Sequence, residues 1–219
     1  MSEKLLGTSK SQRDEIIMSY WTLETKADVG ICGFSNTLPN LFKELTMGMM
    51  SLLTSEEQAL ELNKLPRYAG QWNVEINSST TDYESLLLVW LEEVLYRLEV
   101  KGNFLVDAQI MIQPEAESLT CQSQVSYVEG DLVKRHLEIK AVTSHDLLVR
   151  NLISGEVFNP LDVTIPEMYG PAWVGTVIFD IYWEFQGWTH VQYGQIHTLS
   201  PSRYPTAPMA PSRAAPFPA

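Results

Sequence analysis

From Thr37 onward, apolar residues recur at steps of three and four: Leu38, Leu41, Phe42, Leu45, Met49 and Leu52 fall on one face of a helix that Thr37 can cap. A second run behaves the same way. Asp82 precedes Leu86, Val89, Trp90, Leu91, Val94, Leu95 and Leu98, a broad apolar stripe that predicts another helix with an acidic cap. Elsewhere the pattern shifts to alternation or to β-branched and aromatic runs. These predict strands at about 28–34, 72–78, 103–113, 120–128, 134–143, 145–153 and 173–181. Strands in hairpin-like succession with only two helices imply antiparallel pairing, hence an α+β fold, with an antiparallel β sandwich or partial barrel and two main helices packed on a sheet.

The density of this pattern divides the chain. Residues 1–19 are polar and poor in aromatics, an N-terminal extension, and the folded domain is expected over 20–181. The C-terminal extension, 182–219, has two parts. Its first stretch, Tyr182 to Ser200, is aromatic and reads equally as an extra strand, a packing arm or an unstructured extension. Six of the twelve prolines then fall between Pro201 and Pro218, among Ser, Ala, Thr and Arg. Such a composition buries too little apolar surface to offset its ordering entropy, so disorder is expected from about residue 198.

Charge and cysteine content narrow the function classes. A formal net charge of −12 repels a phosphate backbone unless Lys and Arg gather on one patch, and no such cluster is visible in the sequence. Avid direct nucleic-acid binding is therefore disfavoured, and metal cations or basic protein surfaces are the better-matched partners. Cys32 and Cys121 lack zinc-ligand spacing and read as buried thiols of a reducing, cytoplasmic protein. Neither a signal peptide nor a membrane-spanning run is recognisable. P-loop, G-x-G-x-x-G, G-x-S-x-G and H-E-x-x-H patterns are absent too, which disfavours nucleotide-hydrolysing and serine-hydrolase chemistry.

What remains is a small set of carboxylates. Asp180 interrupts the apolar run Val177, Ile178, Phe179, Asp180, Ile181, and Glu24 and Asp28 stand near the start of the domain. A carboxylate in an apolar strand needs a counter-charge. A hard divalent cation such as calcium, magnesium or manganese is one solution; a strand-end position, or an ion pair with Lys26 or Lys140, is another.

The order of the motifs is similar to that of the archease family over nearly all of residues 20–181. Glu24 to Phe42 resembles the family's first strand, its acid-His-Thr-Ala-Asp-Ile/Val-Gly motif and the following helix, and Met47 to Ser55 resembles that helix's end. Ser85 to Leu105 resembles the second helix and next strand, Leu137 to Val149 the Lys-Ala-Val/Ile-Thr-Tyr-His segment, and Val177 to Ile181 the closing strand. The resemblance implies a protein cofactor, not itself an enzyme, that assists an RtcB-type tRNA-splicing RNA ligase by promoting guanylylation of the ligase's active-site histidine. It also implies a divalent metal held by Asp28 and Asp180. In some members the chain ends just after the last Asp and its terminal carboxylate joins the site; here 38 residues follow Ile181, leaving only the Ile181 backbone, with Glu24 as a substitute ligand.

Other departures from the motif bear on that site. Thr25 and Lys26 replace the motif's His and Thr, Ser144 replaces its Tyr, and Lys26 would share a strand face with Asp28. His145 matches the motif but reads first as structural. Asp28 and Asp180 are expected to be neighbours, on the first and last strands of the domain. Alternative functions are a chaperone-like modulator of a tRNA-modifying enzyme such as a methyltransferase, and a metal-dependent hydrolase using Asp28, Asp180 and a bound water.

Overall fold

The computed structural model describes residues 19–24, 28–78, 81–160, 162 and 164–182, together with the backbone of 189–192 and 195–198. The side chains of Glu24 and of the last two segments lie outside that description, as do the expectations for the N-terminal extension before residue 19, for Lys26 and for the proline-rich tail. By contact, the chain forms two compact units, one ending at Tyr182 and one beginning at Trp183.

The first unit opens with strands β1 (Tyr20–Glu24) and β2 (Val29–Ser35), followed by helix α1 (Leu38–Leu52). Thr37 caps α1 by accepting the Asn40 N–H at 3.3 Å, and Pro39 sits in the first turn, where no intrahelical N–H is required. A short helix α2 (Glu56–Glu61) starts on a reciprocal capping box between Ser55 and Gln58. After β3 (Tyr68–Ile76) comes α3 (Tyr83–Lys101), capped by Asp82, which accepts the Ser85 N–H at 3.2 Å; it ends at Gly102, whose φ of 67° closes the helix in the left-handed region. Strands β4 (Asn103–Pro114), β5 (Leu119–Glu129), β6 (Ile139–Leu152), β7 (Val157–Phe158), β8 (Met168–Tyr169) and β9 (Ala172–Ile181) complete the unit. No helix among the described residues is long and apolar enough to cross a membrane.

All strand pairing is antiparallel, as expected of the α+β class. One sheet has the order β1-β2-β9-β6, a second β3-β5-β4, and β7 pairs with β8 in a separate short ladder. The sheets do not close into a barrel. The two long helices instead pack on both sheets, α1 against β1, β2, β9 and β4, and α3 against β6, β3, β4 and β5, so one main core joins the two sheets. At its centre Trp90 is fully buried; its Nε1–H donates to Thr46 Oγ1 at 2.9 Å, and that hydroxyl donates to the Phe42 carbonyl at 2.6 Å. The pairing matters because an unsatisfied buried polar group costs about 1–3 kcal/mol.

Two sequence expectations change. The segments 134–143 and 145–153 are not two strands but one, β6, interrupted between Thr143 and Leu148. There Asp146 adopts a φ of 52°, and its carbonyl accepts the Thr176 hydroxyl at 2.7 Å, so the strand bulges away and rejoins its ladder with β9 at Leu148. The segment carrying β7 and β8 was not anticipated as structure. It contributes Ile165 and Met168 to a second apolar cluster with Cys32, Leu152 and Val174, on the face of the four-stranded sheet turned from the helices. In the second unit, β10 (Thr189–Gln192) and β11 (Gln195–Thr198) form an antiparallel hairpin with Thr189 opposite Thr198.

Candidate functional site

β2 and β9 are the central strands of the four-stranded sheet, and both faces of that sheet are covered. Their sequences are accordingly near-continuous apolar runs. Asp180 is the one charged residue in β9, at its penultimate position, and β2 contains none. The ladder between them runs from Ser35↔Trp173 to Val29↔Phe179; carried one residue further, it sets Asp28 opposite Asp180. Residues separated by 152 positions in sequence thus stand at the same end of adjacent strands.

On its other side β9 pairs with β6, and here the register slips by one residue between Ile139, opposite Ile181, and Ala141, opposite Asp180. Lys140 is the extra residue. Its ammonium lies 3.5 Å from Asp180 Oδ1 and 4.6 Å from the centre of the Tyr182 ring. Asp180 and Lys140 are half-exposed, so the pair contributes at most about 1 kcal/mol. The Tyr182 N–H donates to the Glu138 carbonyl at 3.1 Å, tying the exit of β9 to the start of β6.

Two of the remaining sequence candidates, Ile181 and His145, direct their side chains elsewhere. Ile181 places its side chain in the core, opposite Ile139. Glu24 ends β1 opposite Val29, and its side chain lies outside the described residues, as does Lys26. His145 sits in the irregular part of β6 with its side chain 80% exposed, and its Nε2 meets its own neighbour, Asp146 Oδ2, at 3.2 Å. Tyr182 went unrecognised in the sequence, where its place after the closing strand was the only clue.

Among the described residues, no three His, Cys, Asp or Glu side chains gather as a ligand set. Two carboxylates do suit a hard cation that keeps several waters, as magnesium does, whereas calcium asks for six to eight oxygens. The donor chemistry of Asp28 and Asp180 fits a hydrated hard ion of that kind.

An antiparallel α+β domain with an aspartate at the same end of each of its two central strands is the class defined by this fold and site. Residues 20–181 match the Archease protein family (MTH1598/TM1083). The chain belongs to that family. It is 25% identical over 134 residues to the protein archease of Pyrococcus furiosus, covering 60% of this chain and 88% of that protein. To the protein archease of Danio rerio it is 24% identical over 157 residues, covering 70% and 91%. The solution structure of Methanobacterium thermoautotrophicum protein 1598 superposes with a TM-score of 0.51 at 20% identity, covering 75% of this chain and 99% of that one, and so shares its fold.

Proposed function

We propose that this chain is an accessory protein of an RtcB-type RNA ligase. It promotes guanylylation of the ligase's active-site histidine, in tRNA splicing or RNA repair, by presenting a divalent cation held at Asp28 and Asp180. What supports the reading is that Asp28 and Asp180 lie at the same end of the paired strands β2 and β9, within a family match that spans both. Such an ion, when bound, supplies positive charge that offsets the phosphate charge of a nucleotide. The chain's own residues do the rest. Asp28 and Asp180 fix the ion at a half-exposed strand end where a partner can reach it, and the net charge of −12 favours a basic protein surface over RNA as the thing contacted.

The test is a mixture of purified cognate ligase, GTP and manganese, with and without this protein. Wild type should raise the initial guanylylation rate at least several-fold, and Asp28→Asn or Asp180→Asn should abolish the increase while leaving the thermal melt within a few degrees of wild type. An unchanged rate with folded wild-type protein would refute the proposal.

A further inference from the structure

We infer that Lys140 is a tethered counter-cation of Asp180, occupying that ligand when no divalent ion is bound and setting how tightly one binds. This rests on the metal-bearing reading above and concerns the regulation of that same site.

The backbone puts Lys140 there. Ile139 and Val142 both belong to the core although three positions separate them, which a regular strand, alternating every two residues, does not allow. The one-residue slip in the β6–β9 ladder resolves this by leaving Lys140 without a ladder partner. Its side chain is thereby released from the inward-outward alternation and reaches across to Asp180, which is opposed by Ala141 and not by Lys140 itself.

Two groups then hold the ammonium. The Asp180 carboxylate is 3.5 Å away and the Tyr182 ring centre 4.6 Å away, a distance at which a cation is attracted to an aromatic face. Tyr182 is itself anchored through its main-chain N–H to Glu138, so the ring is fixed to the same strand start that carries Lys140. Among the described residues, Asp180 is the one carboxylate in ion-pair range of this ammonium. A divalent ion taking Asp180 as a ligand must therefore displace the ammonium or bind against its charge. A ring that keeps the ammonium nearby makes the exchange reversible.

Calorimetric titration of the full chain with manganese tests this. Lys140→Met should bind about fivefold more tightly than wild type, the affinity equivalent of one half-exposed ion pair, and Lys140→Gln should behave likewise. Tyr182→Leu should tighten binding by roughly twofold, the scale of an exposed cation–π contact. Lys140→Arg, which keeps the charge, should stay near wild type, and Asp180→Asn should lose binding. Binding by Lys140→Met where wild type shows none would support the inference in its strongest form. If wild type binds, Asp180→Asn does not, and the neutral Lys140 variants bind no tighter than wild type, the inference fails while the metal-bearing reading stands. If neither wild type nor any Lys140 variant binds, both fail together.

Discussion

The two main sheets share antiparallel pairing and differ in what covers them. In the four-stranded sheet, Ile31, Val177 and Phe179 face the helices, while Cys32 and Val174 lie beneath the segment carrying β7 and β8. The three-stranded sheet is covered on one face only. On the other, Gln71, Gln124 and Gln109 form a row across β3, β5 and β4, all three exposed. The contrast shows where a carboxylate carries information. On the open sheet Asp107 sits within β4 next to solvent, paired with Lys43 at 2.7 Å, and such a position is inexpensive for a charge. On the central strands of the sheet covered on both faces, β2 and β9, a carboxylate stands only at a strand end, which is where Asp28 and Asp180 lie.

That contrast in covering should not be a contrast in cooperativity, and the largest predicted effect tests this. Trp90 lies on α3, which touches both sheets, so Trp90→Ala should cost about 3–5 kcal/mol. Urea unfolding followed by circular dichroism and by fluorescence should still give one coincident transition, and two transitions would show that the sheets fold apart. A matched pair of glycines sharpens the comparison at smaller scale. An alanine Cβ at Gly30 would come within 2.6 Å of Ile178 Cδ1 and 2.9 Å of the Val177 carbonyl, so Gly30→Ala should destabilise by about 1–3 kcal/mol. At Gly70 the nearest atom is 3.4 Å away, on Tyr127, and Gly70→Ala should gain about 0.5–1 kcal/mol. Equal shifts in the two melting curves would erase the distinction.

The smallest effect belongs to the join between the sheets, residues 133–138. There the His136 main-chain N–H donates to the Leu53 carbonyl at 3.1 Å, and partial desolvation of the imidazole, which keeps an exposed edge, pushes its pKa below the ordinary 6.5. The unfolded chain binds that proton more readily. This contribution to stability is therefore complete above about pH 6.5 and is lost as pH falls from there toward the depressed folded value. In a stability profile from pH 7.5 to 5, His136→Gln should show a shallower acid decline than wild type.

Much of this architecture was legible in the chain because local chemistry and tertiary demand agree. Thr37 and Asp82 cap the helices their apolar stripes predicted, and the runs at Val29–Ser35 and Ala172–Ile181 are strands because both their faces are covered. Where the reading fell short, long-range register decided. The bend at Asp146 looks like a strand break in sequence, and only the Thr176 contact from β9 shows that the strand continues. The Ser55–Gln58 capping box was readable as a helix start, but the six-residue helix after it has no apolar stripe and no buried residue to mark it. At the site, the sequence offered Lys26 and Lys140 as equivalent partners for Asp180. The one-residue slip that delivers Lys140 depends on Ile139 and Val142 both entering the core, a packing outcome and not a motif.

The two sheets also carry one thiol each, Cys32 in β2 and Cys121 in β5, and burial pushes both up to about 12. Since the thiolate is the reacting species, neither sulfur is chemically available in the closed protein at neutral pH. Each becomes a silent clock for its own sheet. The rate at which an alkylating reagent captures Cys32 measures how often the doubly covered sheet opens, and the rate at Cys121 does the same for the singly covered one, in native buffer and without any added label.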